Sequence, residues 1–225
     1  NNKIANEQAS ASARGIVQQA RALADKATNL AELKDIIENF DGCPLKKTAN
    51  NTVFAEGNAA AKIKFVGEAP GASEDEQGIP FCGASGKLLD NIALSIDLSR
   101  EQNLYITNTI FWRPPGNRRP TPAELAICLP FVEKHIALIN PKLIVMVGST
   151  ALQALLPDET RTISKIRGSF FEYKNQYLAQ PIKIVPIFHP SYLLRQPFKK
   201  KEMWQDMLKI KMFLDNAALT NQIAS

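Results

Sequence analysis

The stretch Lys62-Ile63-Lys64-Phe65-Val66-Gly67-Glu68-Ala69-Pro70-Gly71 decides the fold. In its first half, charged and apolar residues alternate and then give way to apolar residues alone, which predicts a buried β-strand. Gly67 begins a glycine–proline turn through which a helix would not continue. Glu68 therefore lies just past the carboxyl end of a strand. Because Gly67 and Gly71 have no side chains, a ligand could approach the backbone closely. The pattern favours the floor of a pocket, although an ordinary strand exit has a similar local sequence.

Outward from this stretch, apolar strands alternate with helical patterns. Strands are predicted at 62–66, 103–107, 143–147 and 183–188, and helices at 86–96, 122–139, 150–156 and 200–216. This alternation predicts a mainly parallel sheet with right-handed crossovers and helices on both faces. Residues 1–40 differ in character. Residues 1–26 favour a helix, and Asn29 and Glu32 predict the start of a second helix that ends by Gly42.

Composition and charge narrow the class of protein. The chain has 225 residues, enough for one α/β domain with a full core or for a domain with an appendage. Its formal charge is +5, and because acidic and basic side chains balance within residues 1–40, the surplus belongs to the remainder and points to an anionic partner. An odd number of cysteines, three, favours a reducing compartment. We find no secretory signal or membrane-spanning run and expect a cytoplasmic protein.

Polar groups follow each predicted strand. The four carboxyl ends carry, in chain order, Glu68, Asn108, the Gly148-Ser149 turn and His189. In parallel sheets, ligands bind outside the carboxyl ends of the strands. We therefore expect these groups to meet on one rim, an arrangement that a purely structural role does not explain.

The loop after the first strand carries an aromatic residue and a glycine-rich segment. Phe81 lies in Gly78-Ile79-Pro80-Phe81-Cys82-Gly83, where the flanking glycines and Pro80 favour a ring held at a pocket, in which it could stack on a base, over a core aromatic. The segment Gly83-Ala84-Ser85-Gly86-Lys87 resembles a phosphate loop but lacks its first glycine and its final Ser or Thr. Ser85 and Lys87 could still contact a phosphate at a helix N-terminus.

Further along the chain, polar and basic side chains suit nucleic acid. Asn108 offers a donor and an acceptor that could read a base edge, although asparagine at a strand end is often a turn residue. The loop 113–120 carries three arginines on a proline-rich frame, which predicts backbone contacts or a solvated surface loop. In Phe188-His189-Pro190-Ser191-Tyr192-Leu193-Leu194-Arg195, two leucines beside basic residues suit a wedge in a base stack.

With these motifs in order from about residue 43 to residue 206, the chain closely resembles the family-4 uracil-DNA glycosylases. The resemblance implies removal of uracil from single- or double-stranded DNA, on a three-layer α/β/α fold with a four-stranded parallel sheet. We expect this domain at 41–217, a helical extension at 1–40, a tail at 218–225 and a monomer. The resemblance implies catalytic roles for Glu68, Asn108 and His189, and a uracil site that adds Gly67, Ala69 and Phe81. We expect the DNA-binding residues to be Ser85, Lys87, Arg118, Ser149, Ser191, Leu193, Leu194 and Arg195.

One departure from the family concerns its [4Fe-4S] cluster, which needs four cysteines. Only Cys43 and Cys128 match, while Lys46 and Trp112 stand at the other two positions. We therefore expect no cofactor, no resident metal and no metal-activated water. Two alternatives stay open: a DNA-binding relative that does not excise bases and, less favoured because no nucleotide-binding loop is present, a metabolic enzyme that binds nucleotides.

Overall fold

A computed structural model of the chain describes residues 2–158 and 160–223. The strands within these residues are β1 (Glu56–Gly57), β2 (Ile63–Gly67), β3 (Leu104–Asn108), β4 (Leu143–Val147), β5 (Phe171–Tyr173) and β6 (Ile182–Ile187). They form one sheet in the order β1-β3-β2-β4-β6-β5. The four central strands are parallel, and each edge strand pairs antiparallel with its neighbour.

The sheet is thus larger than the predicted four-stranded one. Each of the four predicted strands lies within one residue of its observed ends. The two edge strands were missed because segments of two or three residues are too short to show an alternating pattern. All residues of β2, β3 and β4 are buried, since helices cover both faces of the sheet, and this explains their nearly continuous apolar sequences.

Helices form a layer on each side of the sheet. They are α1 (Asn2–Lys26), α2 (Leu30–Asn39), α3 (Ala72–Gln77), α4 (Ala84–Leu94), α5 (Pro122–Ile139), α6 (Ser149–Leu155), α7 (Ile163–Ile166), α8 (Pro190–Arg195) and α9 (Lys200–Ile223). The core on one face includes buried residues of α1, α2, α5 and α6, and the core on the other includes residues of α4, α8 and α9. This is the three-layer α/β/α fold that the sequence predicts. Among the residues described, no helix is long and apolar enough to cross a membrane.

The two N-terminal helices share the core of the α/β body. Ala20, Ala24 and Ala27 are fully buried, and α1 packs along α5. Asn29 caps α2 as predicted, because its side chain accepts a hydrogen bond from the backbone N–H of Glu32. The proposed division at residues 40 and 217 stays a prediction. At the other end, α9 continues past residue 217 to Ile223; residues 224–225 of the expected tail, and residue 1 of the extension, lie outside the part described.

Candidate active site

The carboxyl ends of the parallel strands bring the predicted polar groups to one rim. Glu68 follows β2, Asn108 ends β3 and His189 follows β6. Two cavities open at this rim, and Glu68 and His189 line both. We call them the Ser149 cavity, of about 440 Å³, and the Phe81 cavity, of about 390 Å³, after residues that line only one of them. The rim is therefore a real concave site, large enough for a small ring with its sugar.

The Phe81 ring forms part of the wall of the Phe81 cavity. Its backbone φ is 54°, a left-handed conformation that is costly for a bulky residue. The Arg100 guanidinium stabilises this turn by donating to the carbonyl oxygens of Pro80 at 2.7 Å and Phe81 at 2.6 Å. A Cβ on Gly67 would lie 2.3 Å from the Phe81 ring and 2.5 Å from Asn108 Oδ1. Only glycine fits at Gly67, and the ring thereby comes against the end of β2.

Glu74, on α3, joins the two loops that border the Phe81 cavity. One carboxylate oxygen accepts from the backbone N–H of Gly71 at 3.0 Å, and the other accepts from the N–H of Gly83 at 2.9 Å. A single side chain thus fixes the turn after β2 to the loop that carries Phe81. Sequence reasoning missed Glu74. Its spacing of three residues from Gly71, the N-cap of α3, was the available signal.

Asn108 is a buried polar residue at the Phe81 cavity. It is 2% exposed, it lines the Phe81 cavity, and its Oδ1 has no hydrogen-bond partner among the described residues. A buried polar atom without a partner costs about 1–3 kcal/mol, so such atoms are uncommon in folded proteins. A ligand N–H in the cavity would supply the missing partner. The structure therefore favours the interpretation of Asn108 as a reader of a base edge over a turn residue.

His189 caps α8 and is neutral. Its Nδ1 accepts from the backbone N–H of Ser191 at 3.1 Å and lies 2.8 Å from Ser191 Oγ. Because Nδ1 accepts, the proton of the neutral ring is on Nε2, which can donate to a ligand. Burial, followed by the positive charge of Arg195, lowers the pKa of His189 to about 4, and Glu74 opposes this only in part.

Glu68 has a partner that the sequence did not reveal. The hydroxyl of Thr150, in the first turn of α6, donates to Oε2 of Glu68. Thr150 is 6% exposed, so this bond is shielded from water. The carboxylate lines both cavities and is oriented by one hydrogen bond to one of its oxygens. No motif marks Thr150, because its role depends on a contact across 82 residues of sequence.

The predicted DNA-binding residues divide between the cavities and the nearby surface. Ser85 lines the Phe81 cavity, Ser149 lines the Ser149 cavity, and Ser191 and Arg195 line both. Lys87 is exposed on the first turns of α4. The structure therefore brings Ser85, Ser191 and Arg195 to the same cavity as His189. Lys87 lies two residues after Ser85 on α4.

Two of these predictions change in the structure. Arg118 lines the Phe81 cavity, but its guanidinium pairs with both oxygens of Glu124, at 2.9 and 2.7 Å, so much of its charge is neutralised. Leu193 was expected at the DNA surface, and this is wrong: its side chain is fully buried. Residues three or four apart share a helix face, so α8 turns Leu193 to the core and leaves Leu194, 46% exposed, at the surface.

The residues at the expected cluster positions do not fit an iron–sulfur cluster. Cys43 and Cys128 are buried and their thiols hydrogen-bond each other. Lys46 instead pairs with Asp41 at 2.8 Å. The indole Nε1 of Trp112 donates to a threonine hydroxyl at 3.0 Å, and the ring is 1% exposed. Only two thiolates can face one another here, and a [4Fe-4S] cluster is held by four.

Comparison with known proteins identifies the family to which this chain belongs. The model of the uracil DNA glycosylase superfamily matches residues 54–208. The type-4 uracil-DNA glycosylase of Archaeoglobus fulgidus is 40% identical over 80% of this chain and 92% of its own length. That of Thermotoga maritima is 38% identical over 79% and 91%. A type-5 uracil-DNA glycosylase of Thermus thermophilus is 34% identical over a shorter stretch, 44% of this chain and 52% of the relative. The chain therefore belongs to the uracil-DNA glycosylase superfamily, and within it to the type-4 uracil-DNA glycosylases.

Proposed function

We propose that this chain excises uracil from DNA by hydrolysing the bond between uracil N1 and deoxyribose C1′. The relatives named uracil-DNA glycosylases support a glycosylase. The observation that carries the proposal for this chain is the buried, unpartnered Oδ1 of Asn108 beside the Phe81 ring and His189. An acceptor of this kind matches the N3–H of uracil and is opposed by the N3 lone pair of cytosine.

Uracil must leave the base stack before it can enter the Phe81 cavity, as in other enzymes that act on a base. The Phe81 ring would then stack on the uracil face, and the Asn108 amide would bind N3–H and O4. Every base can stack on a protein ring, so stacking does not select the base, and Asn108 discriminates between bases. Gly67 and Ala69 contribute backbone and a small side chain, which leaves room for the ring at the pocket floor.

His189 stabilises the leaving group. As the C1′–N1 bond breaks, its electron pair moves onto the uracil ring and negative charge develops at O2. The Nε2–H of neutral His189 donates to that oxygen, because Nδ1 is already engaged with Ser191. A fixed donor at the position where charge develops typically contributes about 2.7–4 kcal/mol to catalysis.

Glu68 orients the attacking water. Thr150 occupies one carboxylate oxygen of Glu68, and the other can accept from a water molecule in the shared part of the two cavities. The water oxygen forms the new bond to C1′, and its proton passes to the carboxylate or to solvent. The uracil anion takes up a proton from solvent, so the products are free uracil and an abasic sugar. The negative charge of Glu68 also stabilises the positive charge that the sugar develops before the water adds.

We propose that the enzyme is monofunctional, cleaving the glycosidic bond and not the DNA strand. Glycosylases that also cut the strand use an amine nucleophile to form a Schiff base with the sugar. In the described part of the chain, neither cavity is lined by a lysine. We also propose that the protein acts as a monomer, because Glu68, Asn108 and His189 of a single chain line the same cavity. We propose a cytoplasmic location, which the odd number of cysteines supports because it favours a reducing compartment.

Release of free uracil from a uracil-containing oligonucleotide tests the proposal. We expect the purified protein to convert the strand to an alkali-labile abasic product, with no strand cut before alkali and with the same rate in excess chelator. Parallel substrates with thymine, hypoxanthine and xanthine define the range of bases. Binding without release would identify a DNA-binding relative that does not excise bases, and loss of activity on chelation would overturn the mechanism.

A further inference from the structure

Two exposed aromatic side chains flank a run of three lysines that follows α8. Phe198 is 69% exposed and Trp204 is 45% exposed, and Lys199, Lys200 and Lys201 lie between them. Large aromatic rings are usually buried, so two exposed rings that flank a basic run call for a ligand. Lys199 pairs with Glu202 at 2.5 Å, while Lys200 and Lys201 are exposed and make no ion pair within the residues described.

An apolar cavity of about 190 Å³ adjoins these residues. Its walls come from three helices: Leu88 of α4, Leu193 of α8 and Met203 of α9. Trp204 and Lys200 also line it. The cavity therefore combines an aromatic ring, flexible apolar side chains and a cation, with a polar margin from Asn91 and Ser95.

The apolar cavity is a separate cavity, but two helices contribute residues both to it and to the active site. Helix α8 carries His189 at its start, Arg195 at its end, and Leu193 on the face that lines the apolar cavity. Helix α4 contributes Ser85 to the Phe81 cavity and Leu88, three residues later, to the apolar cavity. A strand with a uracil in the Phe81 cavity would therefore run beside the apolar cavity.

We propose that the apolar cavity binds an unpaired base of the same DNA strand that supplies the uracil, and that Phe198 stacks on a neighbouring base of that strand. The choice of DNA as the ligand rests on the proposed function. A base has two apolar faces, which suit Trp204 and Met203, and a polar edge, which suits Asn91 and Ser95. Lys200 and Lys201 bind the flanking phosphates. A base in a duplex is stacked and paired and cannot enter, so the enzyme prefers single-stranded or locally open DNA.

DNA fits these observations better than a second protein does. A stable protein interface buries about 800 Å² on each partner and has few charges at its centre. Here the cavity accommodates one ring and is bordered by lysines. The exposed apolar face of α9 does continue to Met212, 65% exposed, two turns beyond Trp204. That residue lies away from the lysine run and provides a matched control.

The test compares affinities for uracil-free oligonucleotides, single-stranded and duplex, so that the result does not depend on excision. Phe198→Ala and Trp204→Ala should each weaken single-strand binding by about 5- to 150-fold, the equivalent of one stacked base, and leave duplex binding unchanged. Met212→Ala should change neither. Phe198→Tyr should restore affinity, because it keeps a stacking ring.

Tryptophan fluorescence gives a second readout. Of the two tryptophans, Trp112 is buried and Trp204 is exposed, so Trp204 should report stacking directly. A single-stranded oligonucleotide should quench the emission of the intact protein and not that of the Trp204→Phe variant. Equal losses on single-stranded and duplex DNA, or no loss, would overturn the proposal. A concentration-dependent dimer that Trp204→Ala abolishes, with unchanged DNA affinity, would assign the face to a second copy instead.

Discussion

We propose that Asn108 determines which base the Phe81 cavity accepts. If its carbonyl accepts from uracil N3–H and its amide N–H donates to O4, replacement by aspartate removes one donor and leaves two oxygens facing one donor and one acceptor. A bidentate contact is worth about 1–3 kcal/mol of discrimination. We expect Asn108→Asp to lower uracil excision by about 10- to 100-fold and to raise cytosine excision relative to uracil. Single-turnover rates on both substrates check this, and parental rates with an unaltered ratio would make Asn108 a turn residue.

The two histidines should stay neutral across the physiological range. Burial lowers the pKa of His189 to about 4 and, together with the charge of Lys64, lowers the pKa of His135 well below its usual value near 6.5. In the unfolded chain both rings take up a proton as the pH falls through about 6.5. Their contribution to stability is therefore present above pH 6.5 and decreases as the pH falls towards 4.

NMR titration of the imidazole signals measures this directly. Between pH 5.5 and 8 we expect neither ring to titrate, and His189 to show an Nε2–H signal. Protonation of His189 should therefore cause no pH dependence of kcat/KM in this range. Below pH 5, protonation of Nδ1 would place it against the Ser191 N–H, and activity should fall. A His189 that titrates near 6.5 would contradict the neutral donor.

Within strand β2, Lys64 is a buried amine without a hydrogen bond among the described residues. It is fully buried, its Nζ has no hydrogen-bond partner among the described residues, and it lies 5.3 Å from the centre of the Tyr105 ring. Burial lowers the pKa of Lys64 well below 10.5. The unfolded chain therefore binds a proton that the native state excludes, which lowers the free energy of unfolding at neutral pH. This penalty disappears as the pH rises towards 10.5.

Replacement of Lys64 by methionine keeps the unbranched shape of the side chain and removes the buried amine. We expect Lys64→Met to stabilise the protein at pH 7 by about 1–3 kcal/mol, or about 2–4 °C in Tm per kcal/mol. The gain should shrink as the pH approaches 10. Lys62→Met, exposed just before the same strand, should change stability by less than about 0.5 kcal/mol. A lower Tm for Lys64→Met would show that the amine has a native partner.

At the level of elements, helix α3 positions two loops through Glu74. Removing the carboxylate leaves the N–H groups of Gly71 and Gly83 without their acceptor, at about 1–3 kcal/mol. We expect Glu74→Ala to raise KM and lower kcat/KM by 10-fold or more, because a loosened Phe81 loop positions uracil less well. Glu76→Gln, exposed on the same helix, should have parental kinetics. Parental kinetics for Glu74→Ala would show that packing alone holds the loops.

Elements with strong local signals were predictable from the sequence, and elements set by packing were not. Helix α5 begins and ends where predicted, since Thr121 and Glu124 form a capping box ahead of an apolar run. Helix α8 has only six residues, too few to show a helical period, so the sequence predicts no helix here and places both leucines against DNA. Its contact with the core decides which leucine is buried, and this depends on distant residues.

The candidate site shows the same difference, between the residues at its rim and the residues that hold them in place. Glu68, Asn108 and His189 were predictable because parallel strands all end at one edge of a sheet. Arg100 and Thr150 were not, because each acts on a segment 19 or more residues away: Arg100 on the Phe81 loop and Thr150 on Glu68. Local sequence patterns do not contain such contacts, and only the folded arrangement reveals them.

At the scale of the whole molecule, the layer formed by α1, α2 and α5 has an apolar centre at the positions expected to hold an iron–sulfur cluster. Cys43 begins the turn after α2, Cys128 lies on α5, and Trp112 packs in the same core at a ring distance of 6.0 Å from Phe111. We propose that side-chain packing, in place of iron, joins the N-terminal helices to the sheet. The stability of this layer should then depend on Trp112 and not on metal.

Metal analysis and unfolding together test this. We expect anaerobically purified protein to be colourless, without stoichiometric iron or acid-labile sulfide, and to keep its Tm in chelator, because two thiolates cannot hold a four-iron cluster. Trp112→Ala should lower the free energy of unfolding by about 3–5 kcal/mol, the cost of removing a large buried ring. Trp204→Ala, at the surface, should cost about 0.5 kcal/mol or less. Iron and sulfide at four atoms each per chain would show that other ligands complete the site, and the packing role of Trp112 would then be wrong.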